Sequence, residues 1–187
     1  EMEESDWSSD VCSSDLFLGY KDGKSAGMFG MHASMTLSDD TMKKISSAGA
    51  KFPVHVHVAE SIDDQKDCYK KYSKSIVKRF SDYGILNENS ILAHCLYISP
   101  MESMLIAKNN CFAALNPSSN LNNAVGIADW NTLSALKSNC VLGNDGLGFN
   151  MAKEYQTFLF LMRYRTGSPI GFGNDELKKM IENSYTL

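Results

Sequence analysis

The sequence predicts an α/β fold that forms part of a (β/α)8 TIM-type barrel: about the last five βα units, with parallel strands and outer helices. Three observations support this. Five short apolar segments alternate with helix-length amphipathic segments, and all four histidines lie within or at the end of an apolar segment. The sequence also lacks the GxGxxG turn that an open, nucleotide-binding sheet usually carries after an early strand. In a barrel, the chemistry sits at the carboxyl ends of strands, and the polar residues fall there in this sequence.

The predicted strands are short apolar runs separated by segments of helical length. The second run, FPVHVHV, is rich in β-branched residues, which favour extended structure. In chain order, the predicted strands span residues 27–32, 52–58, 90–95, 111–115 and 140–143.

The predicted helices begin and end at capping signals. Ser38-Asp39-Asp40 is typical of an N-cap, and Gly84 ends a single long amphipathic helix over about 62–83. Pro100 after Ser99 indicates the first turn of the next helix. The segment after the fourth strand is rich in Asn and Ser and is predicted to be a loop. The remaining predicted helices begin after Ser38 and span 130–137, 151–163 and 175–183.

Residues 1–16 (EMEESDWSSDVCSSDL) differ from the rest of the chain. They contain two Ser-Ser-Asp triplets and show neither helical nor strand periodicity, so their composition predicts a disordered polar tail. The segment also resembles a translated sequencing-adapter tract, which would make it non-native. We therefore expect residues 17–187 to form the barrel portion.

Composition excludes several classes of protein. The net charge is −4 and the basic residues are dispersed, so we expect neither a nucleic-acid nor a membrane partner. The five cysteines include no CxxC pair, which indicates reduced thiols in a cytoplasmic protein. The remaining expectation is a partner that is a small-molecule substrate, with homo-oligomerisation left open.

Histidines mark the strand ends. His55 and His57 are two residues apart, so a strand places both on one face. His57 is nearer the carboxyl end and is the better metal-ligand candidate, whereas His55 is predicted to be an interior hydrogen-bonding residue. Glu60 follows at the rim, where a carboxylate can transfer protons. A lone histidine is more often a core residue, but His32 and His94 also lie at strand ends.

Asp145 follows the last strand in the segment LGNDG. Asp-Gly is common in turns, so this residue alone indicates little. In a barrel it would project into the mouth beside His57 and His94. Imidazole and carboxylate together suit one divalent metal, Zn²⁺ or Fe²⁺, although a catalytic site usually has three protein ligands. The chain offers two good candidates and one doubtful third, which agrees with a missing N-terminal half.

Five motifs in order resemble the amidohydrolase superfamily, and within it the cytosine-deaminase and chlorohydrolase-like group and its SsnA-like aminohydrolases. They are FGMHAS (29–34), HVHVAE (55–60), LAHC (92–95), LNPSSNLNNAVG (115–126) and LGNDGLG (142–148).

The resemblance implies a role for each matched residue. It assigns substrate binding to His32 and Asn120, and metal binding to His57. Glu60 would shuttle protons, and His94 would orient the hydrolytic water or polarise the substrate. The same resemblance makes Asp145 a metal ligand and the base.

Two departures from the family pattern concern metal and loop residues. The superfamily's HxH pair on the first barrel strand is absent, and Leu115 stands where a histidine often precedes the NPxSN loop. The expected activity is metal-dependent hydrolysis of C–N bonds other than peptide bonds, as a deaminase of a small nitrogen heterocycle, with this chain inactive alone. The alternatives are a non-catalytic barrel and a half-barrel that assembles with a partner chain.

Overall fold

A computed structural model describes residues 27–49 and 52–187, so the predicted tail at 1–16 lies outside the described residues. Their strands form one parallel sheet in the order β1-β2-β3-β4-β5. An open doubly wound sheet reverses its strand order at a switch point, whereas a barrel adds strands sequentially. The predicted partial barrel is confirmed. The strands are β1 (Phe29–Ala33), β2 (Val54–Val58), β3 (Ile91–His94), β4 (Phe112–Leu115) and β5 (Asn139–Leu142).

Helices connect successive strands, and their starts follow the predicted caps. The Ser38 hydroxyl accepts a hydrogen bond from the Thr41 amide, and Ser99 forms a reciprocal capping box with Glu102. The helices of the described residues are α1 (Asp39–Gly49), α2 (Ile62–Tyr72), α3 (Ile76–Asp82), α4 (Pro100–Lys108), α5 (Pro117–Asn122), α6 (Trp130–Ala135), α7 (Met151–Thr166) and α8 (Asn174–Ser184).

The prediction of one helix over 62–83 is wrong, because the chain breaks between α2 and α3. Ser73 adopts a left-handed conformation with φ 54°, and its amide donates to the Tyr69 carbonyl 2.9 Å away. Serine competes for backbone hydrogen bonds and favours helix ends. Two serines in this short polar stretch, Ser73 and Ser75, therefore end one helix and begin the next.

The Asn- and Ser-rich segment predicted to be a loop contains α5. Pro117 occupies its first turn, where the fixed φ of proline is compatible with a helix and its missing N–H costs nothing. The short length of α5, six residues, explains why no apolar periodicity marked it.

The main core lies between the sheet and the helices. Val54, Val56 and Val58 of β2 are at most 1% exposed, as is Leu92 of β3, and they pack in one apolar cluster with helix residues such as Phe80. Full burial of one such side chain contributes about 1.5–3 kcal/mol. This helix-covered face holds the sheet together.

The opposite, concave face of the sheet is open. A small apolar cluster of Phe112, Ala114, Val141 and Ile91 lies there, beside a 380 Å³ cavity that His55 and His57 also line. The His55 side chain lies on this inner face, where it is exposed; its interior hydrogen bond stays a prediction. Within the described residues, no helix has the length and apolar character needed to cross a membrane.

Candidate active site

The chain turns sharply where β2, β3 and β5 end, and it does so through left-handed backbone conformations. Ala59, His94, Cys95 and Asp145 have φ values of 49°, 70°, 51° and 51°. Such conformations are unfavourable for residues other than glycine and are concentrated at functional sites. Strand alternation would place His94 with Leu92 on the helix-covered face, but the left-handed turn gives it a different direction.

Four predicted site residues meet at this edge of the sheet. The rings of His57 and His94 are stacked with centroids 5.4 Å apart. The Nε2 atom of His94 lies 3.6 Å from Glu60 Oε2 and 3.9 Å from Asp145 Oδ2. The His94 side chain is 1% exposed, whereas the two carboxylates are about one-third exposed (36% and 35%). A buried imidazole thus faces two carboxylates that water can reach.

The tautomer of His57 follows from its hydrogen bond. Its Nδ1 lies 2.9 Å from the backbone carbonyl of His32, and a carbonyl can only accept. Nδ1 therefore carries the proton, and in the neutral ring Nε2 holds the lone pair. A backbone carbonyl orients metal-binding histidines in the same way.

Two asparagines surround the other nitrogen of His94. Asn120 Oδ1 lies 2.9 Å from His94 Nδ1, and Asn116 Nδ2 lies 3.4 Å from the same atom. The Asn120 oxygen can only accept, so it requires a protonated Nδ1, whereas the Asn116 amide nitrogen requires an unprotonated Nδ1. The contact with Asn120 is the shorter, which favours Nδ1 as the donor to Asn120. The Nε2 atom of neutral His94 is then an acceptor facing two other acceptors, Glu60 and Asp145. A proton or a water held among the three satisfies this arrangement.

Asp145 is held by two donors. The Ser119 hydroxyl donates to Oδ2 at 2.7 Å, and the Gly146 amide donates to Oδ1 at 2.7 Å. The bond from Ser119 is the main cause of a lowered Asp145 pKa, with smaller contributions from the Gly146 amide, His94 and His57. Asp145 therefore stays ionised at neutral pH.

The backbone directly after β5 leaves room for Asn116. A Cβ atom at Gly143 would lie 2.3 Å from Asn116 Oδ1, well inside contact distance. Asn116 itself is 6% exposed. Glycine at position 143 therefore permits the amide to lie between β5 and His94.

His32 lies beside the cluster rather than within it. Its ring centroid is 5.5 Å from that of His57, and its Nδ1 donates to the Thr36 hydroxyl at 3.0 Å, since that hydroxyl donates to the Ala33 carbonyl. Burial and the nearby His57 lower the His32 pKa. His32 and Glu60 both line a 190 Å³ cavity.

The side chains present are of the types that bind a divalent metal, but they supply only some of the ligands that a complete site needs. The His57 Nε2 lone pair and the Asp145 carboxylate are ligand types that Zn²⁺ and Fe²⁺ accept. Across residues 27–49 and 52–187, no group of three or more His, Cys, Asp or Glu side chains is arranged to hold a metal ion. His57 and Asp145 are therefore two candidate ligands that need further donors.

The structure brings His57, Glu60, His94 and Asp145 together and puts His32 next to them. Asn120, assigned to substrate by the resemblance, is 4% exposed and contacts His94; its substrate role stays a prediction. Sequence reasoning missed the supporting residues Ser119 and Thr36. The NPSSN motif could have indicated Ser119.

Comparison with known proteins matches residues 13–180 to the amidohydrolase family. A 5-methylthioadenosine/S-adenosylhomocysteine deaminase from Caldicellulosiruptor saccharolyticus is 30% identical over 138 residues, which is 73% of this chain and 32% of the relative. A 5'-deoxyadenosine deaminase from Methanococcus maripaludis is 32% identical over 129 residues, 66% of this chain and 30% of that protein. The chain thus spans about a third of the length of these curated relatives.

Solved structures share the fold. An adenosine deaminase from Xanthomonas campestris with bound zinc superposes with a TM-score of 0.79 at 21% identity, covering 91% of this chain and 40% of that one. A guanine deaminase from C. acetobutylicum with bound guanine gives 0.75 at 24% identity, covering 93% and 45%. With the family profile matched over most of its length, this chain belongs to the amidohydrolase family.

Proposed function

We propose that this chain is part of a metal-dependent hydrolytic deaminase that removes the amino group of a small nitrogen heterocycle, with the adenine ring of a nucleoside as the first candidate. One observation carries the proposal: His94 Nε2 faces the carboxylates of Glu60 and Asp145 at 3.6 and 3.9 Å, directly beside His57. The relatives' names, which specify deaminases of adenosine derivatives, support the substrate class.

The reaction exchanges an amino group for an oxygen. The oxygen of a water molecule bonds to the ring carbon that carries the amino group, and the C–N bond then breaks to release ammonia. Both protons of the water leave its oxygen in the course of the reaction: one reaches the ring nitrogen and the other reaches the departing amine, which leaves as ammonia. A catalyst therefore needs a base and a proton carrier on the same side of the ring.

Asp145 is the proposed base. Its lowered pKa keeps it ionised, and the donors Ser119 and Gly146 fix its orientation. His94 is proposed to position the water, since its Nε2 can accept a hydrogen bond from the water when Nδ1 donates to Asn120. Because the His94 ring is buried and fixed by its hydrogen bond to Asn120, it restricts the positions that a bound water can take.

Glu60 is the proposed proton carrier. It is partly exposed, lines the same cavity as His32, and lies within one water's reach of His94. A carboxylate in this position can accept a proton lost by the attacking water and deliver it to the ring nitrogen or the leaving amine. His32 is proposed to contact the substrate from the adjacent wall of the cavity, and Asn120 is kept as a proposed substrate contact.

His57 and Asp145 would hold the divalent metal, Zn²⁺ or Fe²⁺, together with donors beyond the described residues. When bound, the metal would lower the pKa of the attacking water toward neutrality. The contribution of this chain is the orientation of its two ligands, His57 by the His32 carbonyl and Asp145 by Ser119.

The test uses the longest reading frame that contains this chain, because the chain spans only a third of its relatives. The protein is supplied with Zn²⁺ or Fe²⁺, and ammonia release is measured from adenosine, 5'-deoxyadenosine, 5'-methylthioadenosine and guanine. We expect release from at least one adenine nucleoside, and loss by at least about 10³-fold in Asp145→Asn, on the scale of other catalytic-group removals. Full activity in Asp145→Asn would contradict the assignment.

The two alternatives predict other outcomes. A non-catalytic barrel would bind no divalent metal and release no ammonia from any of the four compounds. A half-barrel that assembles with a partner would leave an apolar face exposed in isolation, so the 187-residue chain would dimerise or aggregate in size-exclusion chromatography. A monodisperse monomer would count against that assembly.

A further inference from the structure

Asp64 is a buried carboxylate that the proposed chemistry does not use. It lies in the first turn of α2, four residues after Glu60, and is 3% exposed. Its Oδ2 accepts a hydrogen bond from the Ala59 amide at 3.1 Å, while its Oδ1 is buried with no hydrogen-bond partner among the described residues. Burial raises its pKa to about 6. A carboxylate kept in such an environment calls for an explanation.

The partner of Asp64 is the residue that turns the chain toward the site. Ala59 is fully buried and left-handed, with φ 49°. Its amide lies past the end of β2, and the acceptor that the described residues offer it is the Asp64 carboxylate. Without the Asp64 carboxylate that N–H would be buried and unpaired, so the turn that carries Glu60 depends on this bond.

Ala59 also joins the turn after β3. Its carbonyl accepts hydrogen bonds from the amides of Leu96 and Tyr97 at 3.2 and 3.3 Å. Just before them, the Cys95 amide donates to the Val58 carbonyl at 2.9 Å. The turn that carries Glu60 and the turn that carries His94 are therefore connected through one peptide segment.

We infer that Asp64 is a positioning residue: by holding the Ala59 turn, it sets the separation of Glu60 and His94. The inference rests on the proposed function, since the separation of Glu60 and His94 matters for proton transfer between Glu60 and a water beside His94. Asp64 also lines the 190 Å³ cavity that His32 and Glu60 line, but with 3% of its surface exposed we infer that it acts through the Ala59 turn rather than on a substrate. An asparagine at position 64 supplies the same acceptor without the charge, whereas alanine supplies none.

The first test needs no activity. Amide hydrogen exchange is measured by NMR on this chain and on Asp64→Ala, Asp64→Asn and the matched control Asp63→Ala, which removes an exposed carboxylate from the same turn. In Asp64→Ala we expect exchange at Ala59, Leu96 and Tyr97 to accelerate about tenfold or more beyond any change in β4 amides. We expect Asp64→Asn and Asp63→Ala to leave all three within about twofold.

The imidazole ¹⁵N chemical shifts give an independent readout, since the chain has only four histidines. The His94 signals should move in Asp64→Ala and stay in Asp64→Asn. Acceleration at Ala59 alone, with Leu96, Tyr97 and the His94 signals unchanged, would overturn the inference and leave Asp64 as a local helix cap.

Folding failure has its own control. If Asp64→Ala does not fold, Asp64→Ser, which leaves a small polar group, replaces it in the same comparison. If neither variant folds while Asp64→Asn does, Asp64 is required for stability as a whole and the inference is overturned.

In the longest reading frame, Asp64→Ala should lower kcat about tenfold or more with KM within about twofold, and Asp64→Asn should restore kcat. A wild-type protein without deaminase activity would count against the proposed function only. The exchange and chemical-shift measurements would still decide whether Asp64 connects the two turns.

Discussion

The two faces of this sheet are built from the same strands but by different rules. On β2, Val54, Val56 and Val58 face the helices and are at most 1% exposed, while His55 and His57 alternate with them toward the concave side. The helix-covered face is held by apolar burial, where a polar group without a partner is costly. The concave face is polar and open, and its side chains are held by hydrogen bonds. Stability and chemistry are thus divided between the two sides of one strand.

The largest expected difference between the faces comes from two neighbouring residues of β3. Leu92 is fully buried in the main core, whereas Ile91 belongs to the small concave cluster and is only partly buried. Leu92→Ala should lower the free energy of unfolding by about 2–5 kcal/mol, and Ile91→Ala by about half as much or less. Urea unfolding of the two variants measures both values. Equal losses would show that the two faces contribute alike.

The helix-covered side also contains a buried cation, Arg79. Its two terminal nitrogens are paired, and its Nε is buried without a hydrogen-bond partner among the described residues. Arg79 is 1% exposed; it donates to the Ser34 and Leu37 carbonyls and to Asp39, and its guanidinium lies 3.6 Å from the Tyr72 ring centroid. Arg79→Ala leaves these acceptors without their donor and should cost about 2–4 kcal/mol in urea unfolding.

The control is the neighbouring Lys78→Ala. Lys78 forms a surface ion pair with Asp82, so its removal should cost at most about 1 kcal/mol. If Arg79→Ala also lowered the free energy of unfolding by no more than about 1 kcal/mol, water would be able to replace the guanidinium readily. The helix-covered side would then be less tightly packed than the burial of Arg79 indicates.

Asp64 gives a pH-dependent difference. Its folded-state pKa is raised to about 6 from an ordinary value of 3.8, so the stabilisation it confers is full below 3.8 and is lost as the pH rises through 6. Asp64→Asn removes this titration. Relative to Asp64→Asn, the wild-type protein should lose about 1–3 kcal/mol of unfolding free energy between pH 4 and 6.5. A difference between the two proteins that does not vary with pH would contradict the raised pKa.

The smallest expected effect is on the concave side. Ser119→Ala removes the main cause of the lowered Asp145 pKa, so that pKa should rise toward its ordinary value. The loss in stability should be about 0.5–1.5 kcal/mol, the value of one hydrogen bond. Carboxyl ¹³C NMR reports the pKa, and Ser118→Ala, one residue earlier, is the control. An unchanged Asp145 pKa would assign its orientation to Gly146 instead.

The helix-covered face could be predicted from the sequence because the apolar residues that form it recur periodically. The apolar run from Val54 to Val58 and the caps at Ser38 and Ser99 indicated strand and helices correctly. Where periodicity is absent the prediction failed: serines broke the helix predicted over 62–83, and α5 was too short to leave a pattern.

The concave site could be predicted only in part. Strand position identified His57, and the motifs identified Glu60, His94 and Asp145 as neighbours. The left-handed conformations of Ala59, His94 and Asp145 could not be predicted from residue type, since none of the three is glycine. Because these turns aim the side chains, the contacts of Ser119 with Asp145 and of Asn120 with His94 required the structure.

Two carboxylates at opposite ends of the sheet allow a direct test of the proposed proton transfer. Glu60 follows β2 at its carboxyl end, and Glu88 precedes β3 and is exposed. Ammonia release from an adenine nucleoside is measured for Glu60→Gln and Glu88→Gln in the longest reading frame, at equal folded protein. We expect a loss of about 10²-fold or more in Glu60→Gln and wild-type rates in Glu88→Gln. Wild-type rates in both variants would contradict the assignment of proton transfer to this end of the sheet.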